Sequence, residues 1–222
     1  MTVGDPYTRP SAGSAALVLI DVQRDFLDIP DDTPGHHAAM PVHGTRAAIS
    51  AMAQLTKAFR ERGLPIVHVI RLYQPDGSNA DLVRRRLIEQ GAGIAAPGST
   101  GSQIAAELLP NVVELEHELL LSSGVQQIGV AEHVIYKPRW GAFYDTGLER
   151  HLRESGSDTV VFAGCNFPNC PRTSIYEASE RDFRIVLVSD AVSGLYERGV
   201  EECRAIGVDV RDLSATLDWL AR

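Results

Sequence analysis

Short apolar runs recur along the chain and are separated by longer stretches in which apolar residues return at helical spacing. Continuous apolar runs are typical of parallel strands that helices cover on both faces. The pattern predicts strands over residues 15–20, 64–70, 132–136, 159–163 and 184–188, and helices over 43–62, over 146–155 and from about Cys170 onward. Strands that alternate with helices in this way predict a single doubly wound, three-layer α/β/α domain with a mostly parallel sheet.

The remaining segments fit around this domain. Residues 1–14 are rich in Pro, Gly, Ser and Thr and predict a flexible N-terminal arm, so that the domain occupies residues 15–222. We expect the Pro- and Asp-rich loop 29–34 to lie above the sheet. Arg84, Arg85 and Arg86 indicate a solvated helix face within 75–107, and 108–130 has too weak a period to assign.

Composition limits the kinds of partner. The formal net charge is −8 and the acidic and basic residues are interspersed, which argues against nucleic acid and against an anionic membrane surface. No apolar run approaches the length needed to span a bilayer, and no secretory signal is evident. The three cysteines are typical of a protein in the reducing cytoplasm rather than of a disulfide framework. A small-molecule partner is the expectation.

Cys170 follows a turn at a boundary between a strand and a helix. The turn-forming stretch 164–169 separates the strand from the helical pattern, and Pro171 suits a first helical turn. The N-terminus of a helix favours a thiolate and presents free N–H groups to an oxyanion. Most cysteines only fill space in a core, and we interpret Cys165 and Cys203 in that way.

Two other predicted strands also end in charged side chains. Asp21 ends the first strand, and Lys137 ends the strand over 132–136. In isolation, Asp21 could cap a turn or pair with Arg24, and Lys137 could be a surface lysine. Parallel strands gather such ends at one edge of the sheet, where an acid, a lysine and a cysteine would supply a base, a cation and a nucleophile.

Several further residues lie near the same edge of the predicted sheet. Candidate substrate contacts are Phe26, Arg71, Tyr73, Trp140 and Phe167, which suit a polar or planar molecule that can carry negative charge. The histidines lack the short spacing that a zinc site favours, so the sequence predicts no metal and no other cofactor.

The chain resembles the isochorismatase-like cysteine hydrolases, which include nicotinamidases, N-carbamoylsarcosine amidohydrolases and ureidoacrylate or biuret-type amidohydrolases. The resemblance rests on the segments ALVLIDVQRDF, YKPRWGAFYDTGLERHL and VVFAGCNFPNCPRTSIYEASERDFRIVLVSDAVSG. It implies a catalytic triad of Asp21, Lys137 and Cys170, an oxyanion hole made by the amides of Asn166 and Cys170, and a cis peptide between Cys165 and Asn166. It also implies a homo-oligomer, a dimer or a tetramer.

Two departures from the family pattern narrow the expected activity. Residues 71–76 contain no histidine where nicotinamidases carry a metal motif, and Phe167-Pro168 replaces the usual residues of the turn. The sequence predicts a hydrolase that cleaves an amide, ureido or lactam C–N bond through a thioester. The alternatives are a vinyl ether hydrolase of the isochorismate type, which needs no cysteine, and a binding module without turnover.

Overall fold

The computed structural model describes residues 5–28 and 37–222. In these ranges the chain forms seven strands and seven α-helices. The strands are β1 (Ala15–Ile20), β2 (Ile66–Ile70), β3 (Val125–Gln127), β4 (Glu132–Tyr136), β5 (Thr159–Gly164), β6 (Arg184–Val192) and β7 (Asp209–Arg211). The helices are α1 (Thr45–Glu61), α2 (Leu82–Glu89), α3 (His117–Leu121), α4 (Leu148–Glu154), α5 (Cys170–Ser179), α6 (Glu197–Ala205) and α7 (Leu213–Leu220).

The strands form one sheet in the order β3-β4-β2-β1-β5-β6-β7. Every neighbouring pair is parallel except β3 and β4, which run antiparallel at one edge. The first strand of the chain is therefore the central one, and the chain winds outward from it in both directions. This order confirms the predicted doubly wound sheet.

Helices cover both faces of the sheet. One core contains Met52 and Phe59 from α1 and Leu220 from α7. The other core contains Leu152 from α4, Ile175 from α5 and Cys203 from α6. Successive residues of β1 enter the two cores alternately, which explains why that strand is apolar at every position. The three-layer prediction is confirmed.

The structure also extends or revises several predictions. The segment 108–130 contributes α3 and the edge strand β3, and the segment 75–107 contributes α2. The 29–34 loop and residues 1–4 of the predicted arm lie outside the described residues. In the rest of that arm, the Ser11 N–H donates to Thr159 Oγ1 at 3.1 Å, and Ser14 Oγ donates to Asp158, so contacts with the domain begin before β1. No helix in the described ranges is long and apolar enough to cross a membrane.

Candidate active site

The parallel register brings three strand ends together. Each residue that follows a strand continues the hydrogen-bonding ladder: the Asp21 N–H donates to Val69 O at 2.9 Å, and the Lys137 N–H donates to Ile70 O at 3.0 Å. The Cys165 N–H, which follows β5, donates to Ile20 O at 2.8 Å. The ladder therefore fixes Asp21, Lys137 and the turn before α5 at the carboxyl edge of the sheet, where α/β folds bind ligands.

Asp21 and Lys137 form a buried ion pair. Lys137 Nζ lies 2.8 Å from Asp21 Oδ2, and the two side chains are 0% and 6% exposed. The ammonium also donates to Arg139 O at 3.2 Å. Asp21 Oδ1 is buried and has no hydrogen-bond partner among the described residues. This oxygen is therefore free to accept a proton from a group that approaches it, because its partner oxygen already holds the lysine.

Cys170 is the first residue of α5, with Pro171 in the first turn, as the sequence predicts. The turn before it is closed by main-chain hydrogen bonds from Asn169 N–H to Asn166 O at 3.1 Å and from Phe167 N–H to Ser193 O at 2.8 Å. Within the part of the chain that the structure describes, the N–H groups of Asn166 and Cys170 have no acceptor. Two unpaired N–H donors therefore accompany the thiol.

A close contact between backbones sets the position of this turn. A Cβ atom on Gly164 would lie 2.3 Å from Ile20 O, and the φ of Gly164 is +127°. Only glycine lets the end of β5 approach β1 so closely. The described residues contain no cis peptide bond, so the predicted cis link between Cys165 and Asn166 is wrong. The trans bond is the form that a non-proline peptide favours by about 2.5–4 kcal/mol.

The thiol of Cys170 is protonated at neutral pH. Burial, the largest cause, and the nearby Asp21 carboxylate raise the pKa of Cys170 to about 12, while Lys137 and Arg71 act in the opposite direction. The N-terminus of α5 was expected to favour a thiolate, but this desolvation outweighs it. The proton therefore stays on sulfur until a base removes it, and Asp21 is the acidic side chain that interacts with this thiol.

This raised pKa predicts how Cys170 reacts with iodoacetamide. Since only the thiolate reacts, we expect a rate that is low at pH 7 and rises about tenfold per pH unit through pH 9. Peptide mapping by mass spectrometry measures the rate at each cysteine. Burial also raises the pKa values of Cys165 and Cys203, so a Cys170→Ser protein serves as the control. A rate that is already constant between pH 6 and pH 8 would show a resting thiolate instead.

The cleft above these groups has an aromatic and basic wall. Asp21, Asn166 and Cys170 line it together with four of the predicted substrate contacts, namely Phe26, Arg71, Tyr73 and Trp140. Arg71 Nη2 pairs with Asp81 Oδ2 at 2.6 Å, and Tyr73 Oη donates to the same oxygen at 3.2 Å. Burial raises the pKa of Tyr73, so its phenol remains neutral.

The model of the isochorismatase domain matches residues 15–119 and 116–203 of the chain, which include all three strand ends. The chain belongs to the isochorismatase family. An isochorismatase family protein of known structure from Desulfovibrio vulgaris is 32% identical, with a TM-score of 0.76 over 94% of this chain and 99% of that one. The resemblance inferred from the sequence is confirmed.

Relatives within the family carry different descriptions. A protein of Arabidopsis thaliana described as a probable inactive nicotinamidase is 24% identical over 94% of this chain and 97% of its own. The maleamate amidohydrolase of Pseudomonas putida is 29% identical over 80% of this chain and 71% of its own. The isochorismatase-family fold thus occurs both in amidohydrolases and in a relative described as inactive, so the chemistry has to be argued from the site.

One predicted contact does not line the cleft of this isochorismatase-family chain. Phe167 is completely buried, and its ring packs edge to face against Tyr196 with a centroid distance of 5.5 Å. It also fills the space over Gly199, where a Cβ would lie 2.4 Å from the ring. The assignment of Phe167 to substrate binding is therefore wrong. The main-chain N–H of Phe167 donates to Ser193 O, so this part of the turn is fixed while its side chain lies in the core.

Three residues of the site were missed in the sequence. Gln23 is fully buried and links the segment after β1 to the segment after β2, because its Nε2 donates to Arg71 O at 2.8 Å and its Oε1 accepts from the Arg71 N–H at 2.8 Å.

The second missed residue is Ser174. Its Oγ donates to Cys170 O at 2.7 Å and accepts from the Ala142 N–H at 3.0 Å, which joins α5 to the loop of Trp140. Arg84 lines the cleft. Of the three, only Gln23 could have been suspected from the sequence, because it lies two residues after Asp21.

The described residues contain no group of three His, Cys, Asp or Glu side chains that could hold a metal ion. His68, the one histidine of β2, is buried and lies 2.7 Å from Glu132 Oε1 rather than facing the cleft residues. After β2 the cleft instead presents the Arg71 guanidinium, already paired with Asp81. The described part of the cleft thus presents an ion-paired guanidinium at this position rather than a metal ligand.

Proposed function

We propose that this isochorismatase-family protein is a cysteine-dependent hydrolase that cleaves an amide, ureido or lactam C–N bond of a small molecule through a thioester. The observation that carries the proposal is the grouping of Asp21, Lys137 and Cys170 with two unpaired N–H donors at one cleft. A nucleophile, a base oriented by a third group and an oxyanion site are the parts that acyl transfer requires.

In the first half of the proposed reaction, Asp21 takes the proton of Cys170 as the sulfur attacks the substrate carbonyl carbon. The electrons of the C=O double bond move onto its oxygen, and the N–H groups of Asn166 and Cys170 donate to the resulting oxyanion. Each such donor typically contributes about 10²–10³-fold in kcat. Lys137 holds the Asp21 carboxylate in position until the proton moves.

The intermediate then collapses with cleavage of the C–N bond. The leaving nitrogen takes the proton from Asp21, and the acyl group stays on Cys170 as a thioester. In the second half, Asp21 takes a proton from water, whose oxygen attacks the thioester. Cleavage of the S–C bond releases the acid, and the sulfur recovers its proton from Asp21. Because the thiol begins and ends protonated, its raised pKa is compatible with this cycle.

The proposal is tested by incubating the protein with a panel of small primary amides, ureido acids and lactams while ammonia and carboxylate products are measured. Rapid acid quenching followed by intact-mass spectrometry should trap an acyl adduct, and peptide mapping should place it on Cys170. Turnover of an amide without an adduct, undiminished in a Cys170→Ala protein, would show hydrolysis without a thioester, and turnover of an added vinyl ether alone would support the vinyl ether type of hydrolysis. Binding without any turnover would support a module that no longer catalyses.

We also propose that the protein works in the cytoplasm as a homo-oligomer. The three cysteines are free and buried, which fits a reducing compartment. Sedimentation velocity at micromolar concentration tests the assembly, and a single monomeric species would contradict it.

A further inference from the structure

Arg84 differs from the other cations of the cleft because no carboxylate among the described residues pairs with it. It belongs to the first turn of α2, whose N-terminus is capped by Asp81: the Arg84 N–H donates to Asp81 Oδ1 at 3.2 Å. The side chain lines the same cleft as Asp21 and Cys170. The described residues offer its guanidinium only the sulfur of Met40, a weak acceptor, and no ion pair.

Trp140 holds this guanidinium against the cleft. Arg84 Cζ lies 5.2 Å from the centroid of the Trp140 ring, and Arg71 Cζ lies 5.8 Å from the same ring. The ring thus contacts one guanidinium that has a carboxylate partner and one that has none among the described residues. Arg71 is paired with the buried Asp81, whereas Arg84 is only half-buried and keeps most of its donors free. Stacking on an aromatic ring restricts the guanidinium without using its in-plane N–H donors.

The charges around the cleft leave a positive excess. Asp21 pairs with Lys137 and Asp81 pairs with Arg71, so among the charged side chains that the structure describes at the cleft the charge of Arg84 remains uncompensated. Cys170 and Tyr73 stay neutral and do not change this balance. The protein as a whole carries a net charge of −8, which would repel anions everywhere except where a local cation attracts them.

We propose that Arg84 is a specificity-determining residue that binds a carboxylate of the substrate, so that the preferred substrates are amides that also carry a carboxylate group. This inference rests on the proposed function, because it names the substrate class for the same cleft. The planar fork of the guanidinium matches a carboxylate in two parallel hydrogen bonds. A neutral amide would leave the donors of Arg84 without a partner in the cleft.

The test measures binding separately from turnover. The probes are maleate and benzoate as anions and benzamide as a neutral analogue, titrated by calorimetry into Cys170→Ala protein with and without Arg84→Gln. We expect Arg84→Gln to weaken anion binding at least tenfold and to leave benzamide binding unchanged. Arg85→Gln is the matched control, because Arg85 is the next residue on α2 but its side chain donates to Ser78 O outside the cleft.

A second arm uses the active protein. With Cys170 intact, Arg84→Gln should raise KM for maleamate at least tenfold while changing kcat less, and Arg84→Lys should recover part of the loss. KM for benzamide should not move if that amide is hydrolysed. A KM increase of equal size for both amides, or equal effects of Arg84→Gln and Arg85→Gln, would overturn the assignment.

The two proposals can fail separately. Arg84-dependent anion binding in a protein that hydrolyses nothing would contradict the proposed function and support this inference. Hydrolysis of neutral amides that is indifferent to Arg84→Gln would support the function and overturn the inference. Failure of both anions to bind at millimolar concentration would also overturn it.

Discussion

Replacing Cys170 with alanine should reduce kcat for any amide substrate by on the order of 10⁴-fold or more, because it removes the sulfur that forms the thioester. Cys170 is 7% exposed and lines the cleft, so the change removes one sulfur atom from the edge of the core. The free energy of unfolding should therefore change by only about 1 kcal/mol. Steady-state kinetics and urea unfolding measure the two quantities on the same preparation.

Cys203→Ala is the control for this experiment. Cys203 is 1% exposed, lies on the buried face of α6 and is absent from the residues that line the cleft. It should lose stability by a comparable or larger amount and keep its kcat. If Cys170→Ala retained more than a tenth of the wild-type kcat, a covalent route through this sulfur would be excluded.

The positions of the strand ends were predictable because the continuous apolar runs are the strongest pattern in the sequence. The apolar runs over 15–20 and 132–136 stop at polar residues, and a parallel sheet brings the ends of its strands to one edge. Asp21 and Lys137 occupy these stops, and the hydrogen-bonding ladder continues directly into both residues. A periodic pattern together with one topological rule therefore locates them without any knowledge of side-chain packing.

Other parts of the site could not be predicted because they depend on side-chain directions and tertiary contacts. Phe167 and Asn166 are neighbours in one turn, yet Asn166 lines the cleft and Phe167 packs into the core. Arg84 and Arg85 are adjacent in a basic run that indicated only a solvated helix, but only Arg84 reaches Trp140. That contact joins α2 to a loop far away in sequence, and no local pattern records it.

The edge strand β3 illustrates a different limit. Only one of its three residues is buried, so it has no apolar run and too few positions for an alternation to be visible. Its place in the sheet depends on antiparallel pairing with β4. The side chain of Gln126 also holds the segment before α3, because it accepts a hydrogen bond from the Glu116 N–H and donates one to Glu114 O.

Because Cys170 rests as a thiol, Asp21 has to remove its proton, a step that a preformed thiolate would not need. The proton on Cys170 has to move to Asp21 as the carbon–sulfur bond forms, and an unpartnered Asp21 Oδ1 is available to take it. Lys137 can stabilise the carboxylate before this transfer and the developing charge afterwards. The pair therefore has both a structural and a chemical role, and these roles can be separated by mutation.

Asp21→Asn should lower kcat by about 10²–10⁴-fold, because the amide cannot accept the proton of Cys170. Asparagine suits the backbone at this position, since Asp21 has a φ of +53° and asparagine tolerates that region. The substitution leaves the fully buried ammonium of Lys137 without its counterion. Loss of one partner of such a pair costs about 3–5 kcal/mol in the free energy of unfolding, and Lys137→Met should cost a similar amount.

The double variant Asp21→Asn/Lys137→Met separates the two roles. It removes both charges, so most of the lost stability should return, because a neutral pair needs no compensation in the core. Activity should not return, because the base is still missing. Urea unfolding and kcat measured on the wild type, both single variants and the double variant complete the cycle. A double variant as unstable as the two single losses combined would show that Asp21 and Lys137 do not stabilise each other, and a kcat restored with stability would show that Asp21 is not the base.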